Sequence, residues 1–226
     1  MTKLLDKAQP WAGTSYRNIT TCFPSQDLFD DLGLDQTEIE IIQTWENKTS
    51  GIDHTRPGHH RVFQYGENQT SMAVFSRNTF FPGRFNTTAF GVWYGALEES
   101  TSIEETFYWF QKDAEEKRAF AKKDIVVDRK MFSAKLKSSL MVKLTSQKNV
   151  TTLDLTSEDY TLTQELGQAA KNQGIEMLLA PSARKQNGTC SPVFKPQVIQ
   201  SEKTMYYLRF TMTQHGLATK HRFSEV

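Results

Sequence analysis

Five residues of this chain could do chemistry together: Arg17, Arg84, Tyr94, Glu105 and Ser182. Pro82-Gly83-Arg84-Phe85-Asn86 reads as a turn that carries an arginine, and Gly91–Ala96 reads as a short aromatic strand with Tyr94 inside it. Glu105 lies in the first turns of the helix that follows. This order lets a loop guanidinium, a strand aromatic and a helix carboxylate face one cleft. A guanidinium presents forked donors to an anion, and a carboxylate stabilises a developing positive charge. Each residue also has a structural reading. Arg84 fits a surface ion pair, Tyr94 a core aromatic and Ser182, after Pro181, an ordinary turn. Glu105 fits the N3 place of a capping box with Ser102, as Glu104 does with Thr101.

Several other chemistries lack their residues. The chain has no GxGxxG, P-loop, CxxC, HExxH or Gly-x-Ser-x-Gly motif. His54, His59 and His60 cluster near Asp53, but ligands at productive spacing are missing, so no metal site is expected. The net charge of +1 offers no electrostatic argument for binding nucleic acid or membrane. The charge is uneven, however: acidic residues gather between Asp27 and Asp53, and basic ones between Lys112 and Lys148. These are solvated faces or docking surfaces. Two cysteines far apart, Cys22 and Cys190, form no disulfide framework. With no signal-peptide pattern and no membrane-length apolar run, a cytoplasmic protein is expected.

The elements that would position these residues can be read from period and punctuation. Short helices are expected over Gln26–Leu32 and from Asp35. Strands are expected over Arg61–Tyr65, Ser71–Phe75 and Gly91–Ala96, and the longest helix from Thr101 to about Lys123. Ile125–Leu136 and Leu140–Leu144 read as an antiparallel pair around a Lys137-Ser138 turn. A helix over Thr163–Asn172 should end at Gly174, ahead of a buried central strand at Ile175–Ala180. Late strands at Pro192–Pro196 and Met205–Met212 precede a polar tail. The sum is an α+β fold. The expected divisions are an N-terminal helical extension over residues 1–55, a catalytic domain over 56–212 and a tail over 213–226.

Taken together, these segments resemble the RES-domain family. Tyr16-Arg17…Phe23-Pro24…Asp27-Leu28-Phe29 is similar to the opening of its longer members. His60-Arg61-Val62-Phe63, Phe81–Phe85 and Gly91–Ala96 are similar to its central block, and Ser102–Trp109 to its Glu-bearing helix. Ala180–Arg184, Gly188–Cys190 and Val193–Pro196 resemble its Ser block. The family is named for an Arg, a Glu and a Ser, which the resemblance places at Arg84, Glu105 and Ser182 as catalytic residues, with Arg84, Tyr94, Arg17 and Ser182 in an NAD pocket. Phe85 stands where many members have Trp, and Trp109 where many have His.

The resemblance implies a mostly antiparallel core with flanking helices, like that of ADP-ribosyltransferases. It implies the toxin of a bacterial type II toxin–antitoxin pair, for which NAD is the substrate and no prosthetic group is needed. Alternatives are transfer of ADP-ribose to a host protein, and an inert protein that keeps the fold and binds NAD or a partner. The implied partner is an antitoxin with a helix-turn-helix (Xre-like) domain, in an oligomeric complex, with no nucleic acid bound directly.

Overall fold

A computed structural model describes residues 5–20, 73–75, 80–118, 123–144 and 151–223. Seven strands form one sheet: β1 (Gln9–Thr20), β2 (Trp93–Ala96), β3 (Ile125–Lys143), β4 (Met177–Pro181), β5 (Thr189–Val193), β6 (Ile199–Met212) and β7 (Ala218–Phe223). Among the described residues three α-helices accompany them: α1 (Glu99–Arg118), α2 (Thr152–Thr156) and α3 (Thr161–Asn172). The strand order is β1-β2-β5-β4-β3-β6-β7, and β1 also pairs with β3. That extra pairing closes five strands into a ring, with β6 and β7 extending outward from β3. The one parallel pairing among these strands is β3 with β4; the rest are antiparallel.

β3 makes the closure possible. Expected as a pair of strands, it runs without a break for 19 residues. Lys137-Ser138 contains neither Gly nor Pro to turn the chain, and the in–out alternation continues through it. Buried Ala134, Leu136 and Ser138 alternate with exposed Lys135, Lys137 and Ser139. Two register shifts against β6, at Met131/Phe132 and Lys135/Leu136, bend the strand. Its first part therefore pairs with β6 and its end, Met141–Lys143, with β4. β1 follows the other edge from Arg129 to Met141.

Alternation also divides the core. Met177 and Leu179 of β4 face the ring interior with Trp93, Phe132, Met141 and Val193. Leu178 and Ala180 face α3, where Leu166 and Ala170 meet them. The strand is thus buried on both faces, as its unbroken apolar run predicts. α1 covers β3 and β6 through Phe107, Phe110 and Ala114, and the Phe107 and Phe210 rings meet edge-on at 5.1 Å.

Other expectations change. Residues 9–20, placed in a helical extension, are a strand hydrogen-bonded on both edges. Ala73–Phe75 is a single 3-10 turn rather than the end of a strand. Residues 218–223, expected as tail, return antiparallel to β6 through a turn at Gly216, whose φ of 84° suits glycine. β1 and β7 thus carry the same sheet beyond both ends of the 56–212 span. α1 starts at Glu99, so Glu105 lies a turn and a half inside it and not in a capping box. The helices at Gln26–Leu32 and after Asp35 and the strand at Arg61–Tyr65 lie outside the described residues.

One glycine sets how closely α3 approaches the Arg84 turn. A Cβ on Gly167 would stand 1.9 Å from the Phe85 carbonyl oxygen. Gly167→Ala gains about 1 kcal/mol of helix propensity, but the clash outweighs it. We expect a net loss of about 2 kcal/mol, lowering the thermal midpoint by roughly 4–8 °C in a calorimetric scan.

Candidate active site

The Arg84 turn is built by hydrogen bonds before any ligand is considered. Gly83 and Asn86 form an isolated antiparallel bridge, with Gly83 N donating to Asn86 O at 2.9 Å. The buried Asn86 side chain donates through Nδ2 to the carbonyls of Phe81, Thr87 and Phe90, at 2.9–3.1 Å. Its Oδ1 accepts from the Tyr94 hydroxyl at 2.8 Å, and that hydroxyl accepts from Phe85 N at 2.8 Å. A Cβ on Gly83 would fall 2.8 Å from both Asn86 Oδ1 and the Tyr94 hydroxyl, so no larger residue fits there unshifted. Burial pushes the Tyr94 phenol well above its ordinary value, keeping it a neutral donor.

Arg84 leaves this turn toward the segment joining α2 to α3. Its Nη1 donates to Leu155 O at 3.2 Å and to Ser157 O at 2.6 Å, and its guanidinium lies 4.6 Å from the Tyr160 ring. Among the described residues no hydrogen bond uses its Nε or Nη2. Burial pushes the Tyr160 phenol up, opposed by the Arg84 and Arg184 guanidinium groups. Arg184 pairs with Glu158 and stacks on the Tyr108 ring, so a second arginine ties the same segment to α1.

Glu105 is held from one side. Its Oε1 accepts from Ser182 Oγ at 2.6 Å and Ala183 N at 3.1 Å, and the Cys190 thiol approaches at 3.5 Å. The direction of the Ser182 proton is settled by its surroundings. Its oxygen accepts from the backbone N–H groups of Arg184 and Lys185, at 3.1 and 3.0 Å, which leaves the proton for Glu105. Cys190 faces Ala96 on β2 and Ala180 on β4 across β5, and the small neighbours leave its thiol room. Burial, and then the Glu105 carboxylate, raise the thiol well above its usual range. No hydrogen bond among the described residues ends on Glu105 Oε2.

These groups surround a cavity of about 380 Å³, a size typical of small-molecule sites. Arg17, Arg84, Tyr94, Glu105, Trp109 and Tyr160 are among its walls. Four of the five residues expected from sequence therefore line one cavity. The fifth, Ser182, reaches it through Glu105. Tyr94 offers its ring, because its hydroxyl is committed to the turn. Arg17 lies over the Trp93 ring at 5.5 Å, and Trp109 is 43% exposed at the cavity wall. Sequence reasoning missed Asn18, Asn86, Tyr160 and Cys190. Asn86 and Cys190 lay in segments singled out from sequence, the Arg84 turn and the Gly188–Cys190 block, but were given no role of their own; Asn18 and Tyr160 carried no signal.

The fold is that of an α+β domain with a cavity of about 380 Å³ beside its sheet. Residues 59–213 match the family model of the RES domain, and the chain belongs to that family. β1, which brings Arg17 and Asn18, lies ahead of the matched residues, and β7 lies after them. No curated protein matches the chain in sequence. Among solved structures it is similar to the M. tuberculosis MbcT–MbcA toxin–antitoxin complex. The identity is 13%, over 88% of this chain and 86% of that one, with a TM-score of 0.48.

Two outcomes test this geometry. Tyr94→Phe strips Phe85 N and Asn86 Oδ1 of their partner and should lower stability by about 1–3 kcal/mol, read from denaturant unfolding. In a Cys22→Ser background, the raised Cys190 thiol should react with iodoacetamide at least about tenfold more slowly than free cysteine near pH 8. The rate should climb as pH rises, because the reactive thiolate forms only above the raised pKa.

Proposed function

We propose that this chain is the toxin of a bacterial toxin–antitoxin pair and depletes NAD by cleaving its nicotinamide–ribose bond. The observation that carries this reading is the Glu105 carboxylate, anchored through one oxygen at the wall of a cavity that also presents arginines and aromatic rings. Membership of the RES family supports the same chemistry.

In the proposed reaction the C1′–N1 bond breaks and its electron pair stays on nitrogen, so the cationic pyridinium leaves as neutral nicotinamide. No general acid is needed, unlike ordinary glycoside cleavage with its two carboxyl groups. The ribose develops oxocarbenium character, which Glu105 stabilises while it binds a ribose hydroxyl or orients the acceptor. Water or phosphate supplies the oxygen that bonds to C1′ and gives up its proton. Arg84, whose Nε and Nη2 make no hydrogen bond among the described residues, and Arg17 hold the pyrophosphate. The Tyr94 ring packs on the nicotinamide or ribose. NAD is the substrate, and no prosthetic group takes part.

In this reading the protein works in the cytoplasm and is neutralised by an antitoxin carrying a helix-turn-helix domain. That antitoxin covers the cavity mouth in an oligomeric complex.

Nicotinamide release from NAD by the purified, antitoxin-free protein is the test. Glu105→Gln should fold and lose about a hundredfold or more in kcat. Arg84→Ala should raise KM more than it lowers kcat, as loss of ground-state binding does. A Glu105→Gln protein with full turnover, or a native protein that leaves NAD intact, would overturn the assignment.

A further inference from the structure

Asn18 is nearly inaccessible, with 3% of its surface exposed, yet it stands among the residues around the cavity. Both polar atoms of its side chain are engaged within the protein. Nδ2 donates to Ser102 O at 2.9 Å and to Ser102 Oγ at 3.2 Å. Oδ1 accepts from Arg129 Nε, and the Thr106 hydroxyl 2.9 Å away shares its one proton between Oδ1 and the helix carbonyls of Ser102 and Ile103. Its orientation is also unambiguous, with a carbonyl facing one end and a guanidinium the other.

The two helix residues it grips, Ser102 and Thr106, lie on either side of Glu105 in α1. Behind Asn18, Arg129 of β3 binds the Asn18 carbonyl through Nη2 at 3.0 Å and Thr20 Oγ1 through Nη1 at 3.0 Å. The helix turn bearing the carboxylate is thereby fastened to two strands. Ser182, Ala183 and Cys190 fix the carboxylate tip; the backbone that carries it needs a separate restraint.

We infer that Asn18 is a positioning residue for Glu105: its amide clamps α1 to β1 around that residue and sets where the carboxylate meets the substrate. This rests on the proposed role of Glu105. Leucine matches asparagine in shape but makes none of these bonds, and aspartate keeps the acceptor side while losing the donors.

The experiment measures nicotinamide release by full-length Asn18→Leu and by Thr106→Val, a milder change that removes one hydroxyl. Asn18→Leu should lower kcat between about ten- and a hundredfold, as small misplacements of a reacting group do, with KM within about twofold. Thr106→Val should lose about fivefold. In a Glu105→Gln background, either change should cost no more than about twofold of the residual rate, because a residue acting only through Glu105 has nothing left to act on. Losses that multiply in that background would show a merely structural role. A raised KM at unchanged kcat would show a substrate contact. Either result overturns the inference.

A second readout needs no substrate. Deuterium uptake across Glu99–Tyr108 should quicken in Asn18→Leu, while the rest of α1 keeps native protection; unchanged uptake would overturn the clamp. If the native protein cleaves no NAD, the proposed function fails, and the exchange result still decides whether Asn18 holds the helix.

Discussion

Strand β1 pairs with β3 along its length and with β2 at a single point, and the ring closes through that double pairing. Its Tyr16 meets Ala96 of β2 on one side and Ser133 of β3 on the other. Without β1 the ring would open between β2 and β3, leaving Trp93, at the centre of the inner core, facing the gap. Two consecutive residues of the same strand, Arg17 and Asn18, stand at the cavity. A strand places side chains every 3.3 Å or so along a stiff track, so closing the ring also sets the positions of these groups. The constraint that completes the core is the one that furnishes the site.

Around this frame the polar groups are organised by saturation. Asn86, Tyr94, Ser182 and Asn18 direct their hydrogen bonds into the protein. Glu105 Oε2 and the Nε and Nη2 of Arg84, by contrast, make no hydrogen bond among the described residues. Satisfied buried polar groups rigidify their surroundings, while an unsatisfied one near a cavity is available to what enters. The contrast separates residues that build the site from residues that meet a ligand. Ser182 Oγ donates to Glu105 and accepts from the N–H groups of Arg184 and Lys185, so it steadies the carboxylate from inside the protein.

How much of this was legible in the sequence follows from the range of each signal. Local period and punctuation identified β2, α1, α3 and β4, because amphipathic faces and Gly174 act over a few residues. β1 escaped notice because its partners lie some eighty to a hundred and thirty positions away, and its own residues, with Gly13 and alternating small polar side chains, carry little apolar signal. The unbroken β3 was mistaken for a hairpin because Lys137-Ser138 looks polar, although the alternation through it never lapses. At the site, Arg84, Tyr94 and Glu105 were accessible through family resemblance. Asn18 was not, since its importance comes wholly from what crosses over to meet it, and Cys190 was legible only as part of the Gly188–Cys190 segment.

The anchoring of Glu105 also has a consequence in time. Its carboxylate is synthesised ahead of the groups that hold it, because its Oε1 partners sit 77 to 85 residues later. At about 5–20 residues per second, a ribosome takes about 4–17 s to supply them. Throughout that interval the nascent chain carries the acid group with no donor to seat it. A chain released before Cys190 can bury part of the core and still lack an oriented carboxylate, so the carboxylate is fully seated only once those later residues have been made.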